Sequence, residues 1–336
     1  MTRIPARWSC GLVCAIVMAV VPYGGSPIAQ TTAPLRLVQT IPLRDVRGRI
    51  DHLDVDIDGE RLFVAALGND TAEVIDLRTG QPAQRLEHLQ EPQGIAFEAK
   101  TRALYVTNGR GARVDVFSGN PLVAVASIDG LEDADNIRYD AADGALYVGY
   151  GNALAVIDTS TAKIITRIEL AGHPESFQLE KNGSRVFVNV PQAQQIAVID
   201  RETKQQIATW KLGEMNANFP MALDEPSRRL FVATRRPPAL LVYDIDTGKR
   251  VATLSIAGDA DDAFYDAARK RIYVICGEGL VNVVQQSDAD HYRTVASIHT
   301  SPGARTGLFV AARMALYVAV PAHGATSAEI RVYAVQ

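Results

Sequence analysis

An aliphatic-aromatic-valine triplet recurs seven times along this chain of 336 residues: Leu62-Phe63-Val64, Leu104-Tyr105-Val106, Leu146-Tyr147-Val148, Val186-Phe187-Val188, Leu230-Phe231-Val232, Ile272-Tyr273-Val274 and Leu316-Tyr317-Val318. Successive aromatics lie 42, 42, 40, 44, 42 and 44 residues apart. A period of this size marks a repeat architecture, in which each unit buries its apolar face against its neighbours. A short strand pattern ending in an acid and a turn precedes each triplet, as in Val55-Asp56 before Asp58-Gly59. A loop and a β-branched run closing on aspartate usually follow, as in Val74-Ile75-Asp76 and Val156-Ile157-Asp158, and Thr79-Gly80 or Thr247-Gly248 then turns the chain into a fourth strand. Four short strands per unit, no amphipathic helix and this spacing predict an all-β fold, a seven-bladed β-propeller of four-stranded blades.

The seventh unit tests that prediction, because the chain stops after Ile330-Arg331-Val332-Tyr333 without a fourth strand. The segment Leu35 to Ile41 reads like the fourth strands Gln206 to Thr209 and Arg250 to Leu254. It is expected to complete the last blade, closing the ring and removing an exposed sheet edge. Residues 30–336 are then one propeller domain. Ahead of them, Arg3 and Arg7, an apolar run from Cys10 to Val21 and the breakers Pro22, Gly24 and Gly25 have the pattern of a signal peptide, residues 1–29, with cleavage after Ala29 or Ala33. The run is short for a membrane span, so a periplasmic or secreted protein without a span after cleavage is expected, a monomer by default.

Composition narrows the functional classes. Lys and Arg number 34 against 38 Asp and Glu, a charge of −4 that becomes −6 without Arg3 and Arg7, so there is no general basic footprint for nucleic acid. Cys10 and Cys14 fall in the leader, leaving Cys276 after an apolar strand pattern as a packing thiol. The chain has no nucleophile elbow, phosphate loop, zinc-protease helix or cysteine pair.

Tyr105-Val106-Thr107-Asn108 spells the tetrapeptide of YVTN-type β-propeller repeats, and Tyr147-Val148-Gly149 and Phe187-Val188-Asn189 are variants of it. The chain resembles the exported, YncE-like branch of that family over nearly everything after the leader. The resemblance implies the seven-bladed fold. The wider group includes lactonases, lyases and non-catalytic binding proteins, so it implies no single reaction.

In a propeller the loop leading into the innermost strand lies on one face, where sites usually form. Counting back from each aromatic, the eleventh position reads His52, Gly94, Asn136, Ser176, Pro220, Asp262 and Thr306. The twelfth reads Asp51, Gln93, Asp135, Glu175, Phe219, Asp261 and Arg305. The fourteenth reads Arg49, Glu91, Asp133, His173, Ala217, Asp259 and Gly303, with Asn218 at the thirteenth in blade five. Carboxylates converging on one channel mouth repel, and protonation, arginine or a bound cation relieves them. A divalent metal held by Asp135, His173, Glu175, Asp261 and Asp262 is therefore a candidate, with oxygen ligands suiting Ca²⁺ or Mg²⁺ and the histidines favouring Zn²⁺.

Turn capping explains any one of these acids. It does not explain why His52, His173, Glu175 and Arg305 share the aspartates' positions, so the array is read as a site. Arg235 and Arg236, on the neighbouring loop, are candidates to clamp an anion. Arg228-Arg229 and Arg269-Lys270-Arg271 are read as solubilising charge on the opposite face, and His291 as an exposed turn residue. The expected function is an exported protein that binds a small molecule or protein partner at the acidic mouth. The alternative is a metal-dependent, lactonase-like hydrolase or lyase with His52 or His173, or a carboxylate, as general base.

Overall fold

A computed structural model describes residues 1–6, 8, 9, 11 and 33–336. The apolar run of the expected signal peptide falls almost wholly outside them, as do Cys10 and Cys14. Ala33–Gln336 is one compact unit of seven four-stranded antiparallel sheets. Blade one comprises Leu53–Asp56, Arg61–Ala66, Thr71–Asp76 and Gln81–Leu86. The innermost strands of blades two to six are Pro92–Glu98, Ile137–Asp140, Phe177–Leu179, Asn216–Asp224 and Ala260–Asp266. Blade seven takes Gly307–Val310, Ala315–Val320 and Ala328–Val335 from the end of the chain and its outer strand, Leu35–Leu43, from the beginning. That strand runs antiparallel to Ala328–Val335, pairing Leu35 with Val335 and Leu43 with Ala328, as the missing fourth strand requires.

The triplets occupy the second strand of each blade, which is covered by neighbouring blades on both faces. All seven aromatics are therefore buried, none more than 3% exposed. The acids that end the innermost strands have a structural use on the face opposite the leading loops. Asp56 accepts hydrogen bonds from Arg61 and Arg102, Glu98 from the hydroxyls of Tyr105 and Tyr139, Glu180 from Arg185, and Asp266 from the hydroxyl of Tyr273. Aspartates closing the third strands cap the next turn: Asp76 accepts from the N–H groups of Arg78 and Thr79, and Asp158 from those of Ser160 and Thr161.

Burial on this face corrects the reading of its arginines as free solubilising charge. Arg229 is 8% exposed and bonds Asp244 and Asp290 at 2.7 Å each, Arg228 reaches Glu180 at 3.1 Å, and Arg269 reaches Asp266 at 3.2 Å. Their carboxylate partners lie across turns or in the neighbouring blade, which a strand-by-strand reading does not connect. His291 is exposed and bonded to Asp288 within its turn.

Candidate functional site at the channel mouth

The leading loops converge because the same backbone device recurs in them. At the fourteenth position Glu91, Asp133, Ala217, Asp259 and Gly303 all have positive φ, between 54° and 81°. A left-handed residue turns the chain sharply, so that the residue two places on enters the channel mouth. Hydrogen bonds between blades then fix the convergence. Thr107, from the tetrapeptide, is fully buried; its hydroxyl accepts from the Gly94 N–H at 2.7 Å and lies 2.7 Å from the Asp135 carbonyl of blade three. Asn189 donates to the Phe219 carbonyl of blade five, and Thr306 to the Ile50 carbonyl of blade one. Thr107→Val keeps the shape and removes the hydroxyl. It is expected to cost about 1–3 kcal/mol in urea unfolding, the usual penalty for leaving buried polar groups unpaired.

The mouth divides into two electrostatic halves. On one side Asp261 is clasped by Arg235 at 2.5 Å and Arg305 at 3.0 Å, with Arg49 at 3.6 Å, while Asp259 lies 3.1 Å from Arg305 and 3.4 Å from Arg235. Burial pushes the Asp261 carboxyl up to about 6 despite these arginines, and Asp51 adds to the push. The Arg235 guanidinium is stacked 3.7 Å over the ring of Phe219, so its charge and its face are both committed within the protein. Beside this group, His52 sits between two acids, with Nδ1 3.4 Å from Asp262 and Nε2 3.7 Å from Asp51. Burial opposes its charge, but the two carboxylates prevail and raise it to about 10. Asp51 is 1% exposed and neither oxygen has a hydrogen bond; burial raises its pKa against the pull of His52 and Arg49. The second oxygen of Asp262 accepts the Gly307 N–H at 2.8 Å.

On the other side Asp135, His173 and Glu175 each bring one ligand atom within 4.8 Å of the others. The His173 Nδ1 lies 2.9 Å from the Gly151 carbonyl, which can only accept, so Nδ1 carries hydrogen and Nε2 faces Asp135 at 3.7 Å. A carbonyl oriented in this way is the usual outer partner of a metal-binding imidazole. Burial raises the Glu175 carboxyl to about 8, with Asp135 and Asp261 pushing the same way. His173, opposed by burial but drawn up by Asp135 close by, rises to about 9. Without a cation this group therefore carries extra protons, which a divalent ion would displace. One imidazole nitrogen and two carboxylates suit a first-row divalent ion.

The remaining candidates lie around these halves. Asn136 and Asn218 are buried at the mouth, Asn218 bonding Asn189 and the Gln195 carbonyl. Gln93 reaches the Ala134 carbonyl at 3.4 Å, and Asp133 stands at the rim 3.5 Å from His173. Glu91 faces outward and pairs with Arg110, and Arg236 is exposed to solvent. Of the five candidate ligands, three converge; Asp261 and Asp262 are engaged by the arginines and by His52. Two charged residues of the channel wall, Asp54 and Arg138, lie nine positions before the aromatic, just beyond the positions read for the site. Extending the same count inward by two residues brings them out.

No protein-family profile matches the chain, and no curated protein matches it. Among solved structures the chain is similar to Kuenenia stuttgartiensis hydrazine synthase, with a TM-score of 0.71 and 15% identity over 84% of this chain and 97% of that one. What the two share is the β-propeller fold. At this identity the likeness carries no information about chemistry.

Proposed function

We propose that this is an exported binding protein of the YVTN-repeat, YncE-like kind that holds a first-row divalent cation, such as Zn²⁺, at Asp135, His173 and Glu175. The observation that carries the reading is the His173 ring, oriented by the Gly151 carbonyl with its second nitrogen turned toward Asp135 and grouped with Glu175. Export rests on the leader pattern and the family on the tetrapeptide. Binding is favoured over the hydrolase or lyase reading because each imidazole or carboxylate that would serve as general base is already engaged. His52 is held between Asp51 and Asp262, and His173 and Glu175 are two of the three ligands.

Titration calorimetry on the chelator-treated full chain tests the reading. One equivalent of Zn²⁺ is expected to bind, and His173→Ala is expected to weaken it by about 100-fold, at least as much as losing an outer-shell partner of a metal ligand. Absence of uptake by the wild type, or equal affinity in the variant, would rule the site out.

A further inference from the structure

Below the mouth, the central channel widens into a chamber of about 320 Å³ whose wall is formed by the innermost strands. Its lining is as much polar as apolar, with Ala96, Phe264 and Leu308 beside His52, Asp54 and Asp262. Arg138 stands among them. Among the described residues no carboxylate lies within 4.0 Å of its guanidinium; the only hydrogen bond it makes runs from Nη1 to the carbonyl of its neighbour Ile137, at 2.8 Å, and its guanidinium carbon lies over the Phe177 ring, 5.6 Å from the ring centre. Asp262, Asp54 and Asp135 favour its charge from a distance, and the two that line the chamber have other partners. Asp54 accepts the N–H groups of Val55 and Phe97, one on each oxygen, and Asp262 is shared between His52 and the Gly307 N–H.

An arginine carries five donors in a fixed fork that matches a carboxylate, and four of those on Arg138 have no protein acceptor. Burial works against its charge and lowers its pKa, which is the direction an anion would reverse. Gln178, which also lines the chamber, bonds the Met221 carbonyl through Nε2. Toward the opposite face, a second cavity of about 460 Å³ shares Gln178, Ala263 and Phe264 with the chamber, and its lining is mainly apolar, including Leu179, Leu223 and Phe309.

We propose that the chamber is a binding site for an apolar monocarboxylate, whose head pairs with Arg138 while its body extends past Leu308 and Phe264 into the more apolar cavity toward the opposite face. The arginine supplies orientation and the apolar side chains of the adjoining cavity supply the burial, the usual division of labour in small-molecule pockets. This site is separate from the cation site and does not depend on it.

Octanoate is the probe, with 1-octanol as the uncharged counterpart, titrated into the chelator-treated full chain so that failure of the cation site cannot affect the result. The wild type is expected to bind octanoate at least about tenfold more tightly than octanol, and Arg138→Gln to lose that preference, since a charge-assisted pair contributes on the order of one to two decades in affinity. Arg138→Lys, which keeps the charge and loses the fork, is expected to fall between them. A thermal scan of each variant shows that it is folded, and octanoate is expected to raise the wild-type midpoint and not that of Arg138→Gln. Absence of octanoate binding to the wild type up to about 10 mM, equal binding of octanol, or unchanged octanoate affinity in folded Arg138→Gln would each overturn the proposal, the first because it corresponds to less than about 3 kcal/mol of binding free energy.

Discussion

Removal of the segment Leu35–Leu43 is expected to abolish the cooperative unfolding transition of the propeller. Leu35, Ile41 and Leu43 are each no more than 3% exposed, and their loss forfeits roughly 1.5–3 kcal/mol apiece. That alone approaches the 5–15 kcal/mol that separates most domains from their unfolded states. The backbone consequence adds to it: Ala328–Val335 would present an unpaired edge. Circular dichroism during heating checks the outcome, and a synthetic peptide spanning residues 33–44 is expected to restore the transition by strand addition. A truncated chain that unfolds within about 1 kcal/mol of the intact one would show that blade seven does not need its outer strand.

Replacing His52 with leucine is expected to destabilise the protein by about 3–5 kcal/mol near pH 6, because Asp51 and Asp262 would lose the cation between them while remaining buried. The pH dependence separates this from a packing defect. The folded-state pKa of His52, about 10, lies above the ordinary 6.5. A group raised on folding contributes stability that is complete below its unfolded value and disappears as pH climbs through its folded one. The gap between wild type and variant should therefore narrow steadily between pH 6.5 and about 10. Chemical unfolding at three or four pH values across that range measures it. A constant gap would assign the loss to packing.

These effects show which parts of the molecule a linear reading reaches. The triplets made the blades legible because each aromatic has to fill the same space between neighbouring sheets, and local pattern and global fold agree there. The closing strand was legible because Leu35 to Ile41 looks like the outer strands it replaces. Counting back from the aromatics also picks out Asp135, His173 and Glu175, which lie together in the fold. What the count does not supply is pairing. Whether Asp261 is available to a cation depends on Arg235 and Arg305, and whether His52 is a base depends on Asp51 and Asp262. Arg138 went unread for a related reason: it sits in an ordinary strand position, and its character comes from the acids that surround it but do not reach it.

The ring closure also bears on when the protein can acquire its stability. Leu35 leaves the ribosome long before Val335, its partner, and until then the strand has no sheet to join. Such non-local pairing raises contact order and slows folding, and it leaves the open ring vulnerable to association in the meantime. Blade one supplies Asp51 and His52, and blade six supplies Asp262 across the seam that blade seven occupies. The buried charge pair can therefore form only as the circle closes, late in folding, and closure and charge neutralisation become a single kinetic event.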